Sequence, residues 1–244
     1  MKLVLPKLYA IVDAGCFAGE SDPTMAVVQY ARELVGAGVE LIQYRNKAAS
    51  ARVMLSQARE IRRAAGAKAP SLSRAEATRL KPCPGTNQDF AATAEAVALR
   101  SAVRLIMNDR ADLCLAAGFD GVHVGQDDLS PAAARMIVGE SAWVGVSTHN
   151  PEQVAEADGW PVDYIAVGPV FATASKANPD PVIGVEGVRQ ARALTRRPLV
   201  AIGGITRANC RAVIEAGADS VAVISDLLRE PARAVVEFLQ RLAS

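Results

Sequence analysis

The sequence predicts an α/β protein that folds as a single (β/α)8 TIM barrel, and three observations support this fold class. Short apolar runs alternate with amphipathic helical stretches from one end of the chain to the other. A pattern of helix end, glycine, acid and apolar run recurs along the chain. The chain has 244 residues, half of them apolar, and barrels of this length are routinely one domain.

Eight strand–helix pairs can be assigned from these patterns. The apolar runs are short and continuous, as expected for parallel strands that are buried on both faces. The predicted strands are 8–12, 40–44, 103–107, 121–124, 143–146, 164–167, 199–202 and 220–224. The predicted helices are 24–36, 50–65, 109–117, 130–139, 151–158, 185–195, 206–216 and 226–242. Eight such units with right-handed crossovers close into a barrel, and a doubly wound open sheet is the structural alternative.

The recurring glycines explain how each unit turns back toward the barrel. Gly38, Gly118 and Gly217 each follow a helical stretch and precede an acid and an apolar run. Glycine adopts the left-handed conformation that commonly ends a helix. We therefore expect a left-handed C-cap at each of these positions.

Residues 66–102 interrupt the alternation between the second helix and the third strand. The segment combines a proline-containing polar stretch with a further helical pattern at 89–99. Helix-to-strand connections lie on the N-terminal face of a barrel, away from the chemistry. We therefore expect one domain spanning 1–244 that carries an insertion on its N-terminal face, with a structural or interaction role.

Composition and charge exclude several classes of function. The 27 basic and 26 acidic residues leave a net charge of +1, which predicts neither a nucleic-acid partner nor a membrane partner. The four cysteines are scattered, as expected for thiols in a reducing compartment. No signal peptide or long apolar stretch is found in the sequence, so we expect a cytoplasmic protein. Its oligomeric state is left open.

Two aspartates follow neighbouring predicted strands. Asp109 comes after the third strand and Asp128 after the fourth. Neighbouring strands lie about 4.8 Å apart, so the two carboxylates can share one hard cation. Mg²⁺ usually takes one or two carboxylates and completes its shell with water and substrate phosphate. The pair therefore predicts a Mg²⁺ site and phosphate chemistry, and whether Asp127 joins the site stays open.

The second strand ends in Gln43-Tyr-Arg45-Asn-Lys47, which places two cations beside the predicted metal site. Gln43 and Arg45 alternate along the strand and therefore face the same way. A guanidinium that points into a barrel needs an anionic partner. Arg45 offers a fork for phosphate oxygens, and Lys47 adds a point charge.

The fifth strand is followed by Ser147, whose hydroxyl can donate a hydrogen bond into the barrel mouth. His123 and His149 are the two histidines of the chain. A histidine on a strand is more often a satisfied core residue than a base or a ligand. We therefore expect structural roles for both.

The later strand ends supply a second set of anion-binding groups. The long segment 168–184 contains Thr173, Ser175 and Lys176, and a loop of this length is usually functional or disordered. Gly203-Gly204 follows the seventh strand, and Ile224-Ser225 follows the eighth. Barrels frequently bind phosphate at these two loops. The residues thus predict a strongly positive half that fits a diphosphate and a milder half that fits a monophosphate.

Taken in order, the motifs resemble those of the thiamine-phosphate synthase family. The resemblance extends over nearly the whole chain except about 66–102. The matching motifs are Gln43-Tyr-Arg-Asn-Lys47, Asn108-Asp109-Arg110, Gly121-Val-His-Val-Gly-Gln-Asp-Asp128, Gly145-Val-Ser147-Thr-His149, Gly168-Pro-Val-Phe-Ala-Thr-Ala-Ser-Lys176 and Ile202-Gly-Gly-Ile-Thr206.

The resemblance implies a transferase that joins hydroxymethylpyrimidine diphosphate to thiazole phosphate. The products would be thiamine phosphate and diphosphate, and the mechanism would be dissociative. The resemblance also implies that Asp109 and Asp128 hold Mg²⁺ and that Arg45, Lys47 and Lys176 are the catalytic cations. The implied contacts of the pyrimidine diphosphate are Gln43, Arg45, Lys47, Asn108, Ser147 and Lys176. The implied contacts of the thiazole phosphate are Thr173, Ser175, Gly204, Ile224 and Ser225.

The sequence departs from the family pattern at two places and leaves two other functions open. Ser175 stands where the family commonly has threonine, which keeps the hydroxyl, and the segment 66–102 is absent from the usual family length. The first alternative function is a related thiazole tautomerase, an isomerase that acts on one phosphate substrate and needs no diphosphate half. The second is a barrel that binds thiamine phosphate without catalysis.

Overall fold

The computed structural model describes residues 3–66, 103–173 and 180–243. The predicted insertion beyond Gly66 lies outside the described residues, and so do Ser175 and Lys176. Within the described ranges no helix is both long enough and apolar enough to cross a bilayer.

Eight parallel strands form a closed barrel in chain order, with β8 pairing back to β1. This confirms the predicted (β/α)8 barrel and excludes the doubly wound open sheet. The strands are β1 (Leu8–Asp13), β2 (Leu41–Arg45), β3 (Arg104–Asn108), β4 (Gly121–Val124), β5 (Trp143–Thr148), β6 (Tyr164–Val167), β7 (Leu199–Ile202) and β8 (Ser220–Val223).

Helices follow the strands and pack against the outside of the barrel. Asp22, Ser130 and Asn150 each accept a hydrogen bond from a backbone amide of the first helical turn, and a proline follows each cap. In the described ranges the α-helices are α1 (Pro23–Gly36), α2 (Ala51–Ala64), α3 (Ala111–Ala117), α4 (Pro131–Val138), α5 (Pro151–Asp158), α6 (Gly184–Leu194), α7 (Cys210–Glu215) and α8 (Pro231–Ala243).

The last helix begins later than the sequence predicts. A separate 3-10 turn, Ser225–Leu227, follows β8, and α8 starts only at Pro231. The carboxylate of Asp226 in this turn accepts hydrogen bonds from the backbone amide and the guanidinium of Arg207. These bonds tie the turn to the segment after β7, so Ser225 lies at the barrel mouth as a turn residue.

All three recurring glycines have a positive φ, but only Gly118 is itself the left-handed C-cap, since Ala37 and Ala216 cap the helices before Gly38 and Gly217. Gly38, Gly118 and Gly217 have φ values of 105°, 69° and 111°. At Gly118 the backbone amide donates to carbonyls of the helix that it ends, as in a left-handed C-cap. These three glycines allow the chain to turn from a helix into the next strand without backbone strain.

The acids that precede β4, β6 and β8 have a structural role at the opposite end of the barrel from the predicted site. Each carboxylate accepts a hydrogen bond from a backbone amide at the start of the preceding strand and pairs with an arginine. The amide bonds are Leu105 N to Asp120 (2.9 Å), Val144 N to Asp163 (2.7 Å) and Leu199 N to Asp219 (2.8 Å). The paired arginines are Arg104, Arg135 and Arg192. These three aspartates therefore secure the register of neighbouring strands.

Apolar side chains fill two layers. The layer between the strands and the helices is the larger one, and Tyr44, Ile61 and Phe238 are completely buried in it. The barrel interior has its own smaller cluster, which includes Ile11, Ile106 and other buried apolar side chains. This interior apolar cluster lies beneath the polar residues of the barrel mouth.

Five polar side chains cross the barrel interior in one connected series, the interior network, which consists of Gln43, Tyr9, Tyr164, His123 and Ser147. Gln43 Nε2 donates to the Tyr9 hydroxyl at 3.0 Å, and the two tyrosine hydroxyls are 3.0 Å apart. His123 Nδ1 lies 3.1 Å from the Tyr164 hydroxyl, and its Nε2 lies 2.9 Å from Ser147 Oγ. Each of these polar groups has a partner, which offsets the cost of its burial.

Gly145 makes room for this network. A Cβ atom at this position of β5 would lie 2.1 Å from the Tyr164 ring, closer than any real contact. Only glycine therefore allows the ring of Tyr164 to lie across the interior and reach both Tyr9 and His123.

We expect Asp163→Ala to lower the free energy of unfolding by about 2 kcal/mol, because it leaves the Val144 amide and Arg135 without their shared acceptor. The matched control is Glu60→Ala, which removes an exposed pair with Arg63 and should cost no more than about 0.5 kcal/mol. Urea unfolding of both variants makes the comparison. Equal losses would show that the carboxylate of Asp163 does not hold the strands.

We also expect the buried imidazole of His123 to make stability depend on pH. Burial lowers the pKa of His123 from 6.5 to about 4, against the opposing charge of Asp128. Between these two values the unfolded chain binds a proton that the folded chain does not bind. The free energy of unfolding should therefore fall as the pH drops from 6.5 toward 4, by at most about 3 kcal/mol.

The measurement is urea unfolding of the wild type and of His123→Asn at about pH 7.5 and about pH 4.5. The variant cannot titrate at this position, so the wild type should lose more stability than the variant over the same interval. Circular dichroism confirms that both proteins are folded at the higher pH. Equal losses in the two proteins would rule out this contribution of His123.

Candidate active site

A cavity of about 420 Å³ opens at the carboxyl ends of the strands, where the sequence places the site. Every predicted site residue that lies within the described ranges lines this cavity. These residues are Gln43, Arg45, Lys47, Asn108, Asp109, Asp128, Ser147, Thr173, Gly204, Ile224 and Ser225. The fold therefore brings together residues from widely separated parts of the chain.

Asp109 faces Asp128 and Lys47 across one side of the cavity. Lys47 Nζ lies 2.9 Å from Asp109 Oδ2, and the carboxylate of Asp128 is within hydrogen-bonding reach of Asp109. The backbone holds the carboxylate of Asp128 in position, because its Oδ2 accepts a hydrogen bond from the Gly125 amide at 2.9 Å. Asp109 has a φ of 61°, a left-handed conformation that is uncommon outside glycine. This conformation follows β3 directly and turns the chain at the cavity wall.

The electrostatics of this carboxylate pair fit a divalent cation. The pKa of Asp109 is raised above its ordinary value, first by burial and then by the neighbouring carboxylate of Asp128, whereas Lys47 opposes the shift. A cation between the two carboxylates would relieve their repulsion. Among the described residues no group of three or more His, Cys, Asp and Glu side chains could hold a metal. Two carboxylates are the number that Mg²⁺ commonly takes from a protein.

Arg45 has an anionic partner within the protein. Asp13 stands opposite Arg45 in the register of β1 and β2, and the two side chains form an ion pair. Asp13 is 8% exposed, and it also accepts a hydrogen bond from the Gly15 amide at 3.0 Å. The carboxylate therefore holds the guanidinium at the cavity wall, where its remaining N–H groups can meet an anion.

The loop that carries Lys47 is held by a buried glutamine of α2. Gln57 Oε1 accepts hydrogen bonds from the Tyr44 hydroxyl at 2.6 Å and from Asn46 Nδ2 at 3.1 Å. The side-chain oxygen of Asn46 in turn accepts bonds from the amides of Ala48 and Ala49. These contacts order the backbone on both sides of Lys47.

The other half of the cavity is formed by the loops after β6, β7 and β8. The amides of Val170 and Phe171 donate to the carbonyls of Ile202 and Gly203, which lays the loop after β6 along the end of β7. A Cβ at Gly203 would lie 2.6 Å from the Cα of Pro169, so this close approach requires glycine. The result places Thr173, Gly204 and Ser225 on one wall.

The structure adds cavity residues that the sequence did not single out. Tyr9, Gln126, Gln153 and Asp180 line the cavity, and Asp13 supports it through Arg45. A signal for two of them was present, because Tyr9 and Asp13 alternate along β1 as Gln43 and Arg45 alternate along β2.

The two histidines are satisfied by hydrogen bonds, as expected, but both also line the cavity. His149 Nδ1 lies 2.6 Å from the carbonyl oxygen of Gly168 and 3.5 Å from the carboxylate of Asp180. His123 belongs to the interior network. Both imidazoles are therefore also part of the cavity wall.

Comparison with known proteins agrees with the motifs. A family model described as thiamine monophosphate synthase matches residues 84–227. The chain is 54% identical over 243 residues to the thiamine-phosphate synthase of Koribacter versatilis, which covers 99% of this chain and 98% of the relative. That alignment includes nearly all of the segment 66–102, whose insertion and role stay predictions.

More distant relatives lead to the same family. The chain is 39% identical over 219 residues to the thiamine-phosphate synthase of Chloroflexus aurantiacus, covering 90% of this chain and 83% of the relative. The thiamine phosphate pyrophosphorylase of Pyrococcus furiosus has a solved structure that superposes with a TM-score of 0.72 at 28% identity, over 97% of this chain and 95% of that chain. The matched motifs, the barrel and these relatives together establish that the chain belongs to the thiamine-phosphate synthase family.

Proposed function

We propose that this protein is a thiamine-phosphate synthase, a transferase that joins hydroxymethylpyrimidine diphosphate to thiazole phosphate. The products are thiamine phosphate and diphosphate. The relatives named above carry this activity in their names, and the chain is aligned with one of them over almost its whole length. The small-molecule substrates fit a protein with little net charge and a deep cavity at the barrel mouth.

One observation supports the proposal most strongly, namely the charged residues that the diphosphate half contributes to the described cavity wall. Arg45, Lys47, Asp109 and Asp128 all line the same cavity, which also contains the residues of the monophosphate half. A thiazole tautomerase acts on one phosphate substrate and has no need of this second charged half. A barrel that only binds thiamine phosphate would not need it either, since that ligand carries no diphosphate.

The chemistry follows from where the charges lie. The C–O bond between the pyrimidine methylene and the diphosphate breaks, and the diphosphate leaves with the electron pair. Arg45 and Lys47 line the cavity, where they would stabilise the departing charge electrostatically. The thiazole nitrogen then donates its lone pair to the pyrimidine methylene carbon. This nitrogen carries no proton, so the reaction needs no general base.

Asp109 and Asp128 would hold Mg²⁺, which when bound supplies positive charge beside the diphosphate. Lys176 would add a further catalytic cation, and Thr173, Ser175, Gly204, Ile224 and Ser225 would contact the thiazole phosphate. The roles of Ser175 and Lys176 rest on the family motif alone. Gln43, Asn108 and Ser147 would contact the pyrimidine diphosphate, in keeping with their positions on the cavity wall.

We also propose a cytoplasmic location. Cys16, Cys114 and Cys210 are free thiols in the described part of the chain, and Cys114 and Cys210 are buried. Unpaired cysteines of this kind are typical of proteins in a reducing compartment. Fractionation of cells that produce the protein would test this location.

The direct test of the proposed function is an assay with both substrates. We expect purified protein with Mg²⁺ to produce thiamine phosphate and diphosphate, and we expect the reaction to stop when EDTA removes the metal. Adding excess Mg²⁺ should restore it, because the carboxylate pair remains intact. Omission of either substrate is the control. Absence of product with fresh substrates and metal would refute the synthase assignment.

A pair of adjacent aspartates tests the proposed metal site. Asp128→Ala should lower kcat/KM by at least about 100-fold and weaken Mg²⁺ binding, because it removes one of two carboxylates from the cation. Asp127→Ala is the matched control, since Asp127 is exposed and is not implied as a ligand. We expect its activity to stay within about threefold of the wild type.

Calorimetric titration with Mg²⁺ provides a readout that does not depend on turnover. Loss of binding in Asp127→Ala, with binding retained in Asp128→Ala, would show that the ligand assignment is reversed. Circular dichroism of both variants confirms that the barrel is intact.

A further inference from the structure

The interior network has a direction, and this direction decides what Ser147 offers to a ligand. The network begins at Gln43, whose amide nitrogen donates to the Tyr9 hydroxyl at 3.0 Å. An amide nitrogen carries only donors, so the Tyr9 oxygen acts here as an acceptor. In this direction of the network, the Tyr164 oxygen, 3.0 Å away, accepts the single hydrogen of Tyr9.

The donor and acceptor roles on the other side of Tyr164 follow in the same way. In the same direction, Tyr164 accepts from Tyr9 and donates its own hydrogen to His123 Nδ1 at 3.1 Å. A neutral imidazole carries one N–H group, and Nδ1 is already an acceptor, so the hydrogen lies on Nε2. Nε2 therefore donates to Ser147 Oγ at 2.9 Å.

The hydroxyl hydrogen of Ser147 takes no part in these hydrogen bonds. It cannot point to His123, because that contact already contains the hydrogen of Nε2. Ser147 lines the cavity, so its hydrogen is directed to whatever lies there. In this arrangement Ser147 offers its hydrogen to a hydrogen-bond acceptor of the ligand.

We propose that Tyr164 is a positioning residue that, through His123, fixes the hydroxyl of Ser147 as a hydrogen-bond donor to the substrate. Tyr164 is completely buried and is not among the residues that line the cavity, so it acts through its neighbours. The inference rests on the proposed function for the identity of the ligand, which is the pyrimidine diphosphate. A donor fixed in advance needs no reorientation when the substrate binds.

The direction of the network can be measured in the wild type without any variant. The chain has only two histidines, so ¹⁵N NMR of the labelled protein resolves both imidazoles. We expect His123 to be the tautomer with a protonated Nε2 and an unprotonated Nδ1. A protonated Nδ1 would donate to Tyr164 and leave Nε2 as an acceptor from Ser147, and it would overturn the proposal.

The role of Tyr164 is tested by Tyr164→Phe, which removes the hydroxyl and leaves the ring in place. We expect the Nδ1 resonance of His123 to move, because this nitrogen loses its donor. The KM for the pyrimidine diphosphate should rise roughly three- to tenfold, the effect of one weakened hydrogen bond, and kcat and the KM for thiazole phosphate should change far less.

Tyr30→Phe is the matched control. Tyr30 is also buried, but its hydroxyl has no hydrogen-bond partner among the described residues, so its removal should move neither the resonance nor the KM. An unchanged Nδ1 resonance or an unchanged KM in Tyr164→Phe would overturn the positioning role. If the wild type makes no thiamine phosphate, the proposed function fails, and the imidazole resonances still decide the direction of the network. If Tyr164→Phe does not fold, the tautomer of His123 in the wild-type spectrum still decides the direction of the network.

Discussion

The interior of a closed parallel barrel is filled by packed side chains, so polar groups there need partners among their neighbours, and this constraint shapes the whole site. A buried polar side chain without a partner costs on the order of 1–3 kcal/mol, so polar residues can face inward only as members of a connected set. The interior network meets this condition with side chains from β1, β2, β4, β5 and β6. The rest of the barrel mouth is built on top of this layer.

The same constraint governs the charges. Arg45 is neutralised by Asp13 inside the protein, and Lys47 is neutralised by Asp109. Each cation therefore stands ready at the cavity with a partner that holds it in place. The cost of assembling these charges is visible at Asp109, where burial and Asp128 together raise the pKa and the backbone takes a left-handed conformation. Strained and repelling groups of this kind are typical of functional sites.

Much of the fold was predictable because its causes are local. Apolar runs give the strands, caps and prolines give the helix starts, and the glycine–acid repeat gives the turns. The start of the last helix was predicted wrongly, because Asp226 bonds to Arg207, a contact between two separate loops. The polar residues after each strand were also predictable as a set, because strand ends meet at one face of a barrel. Asp13 and Gln57 were missed, since their importance lies in what they contact across strands or from a helix.

The sequence by itself determined the barrel, the strand ends that bear the charges and the family resemblance, because periodicity and motif order are properties of the chain. Only the tertiary structure decided which groups face one another. The pairing of Asp13 with Arg45 depends on the register of β1 and β2, and the reach of Tyr164 depends on the missing side chain of Gly145. The contacts of the interior network depend on distances between side chains of five strands. Such distances are set by the closure of the barrel, which no local pattern of residues encodes.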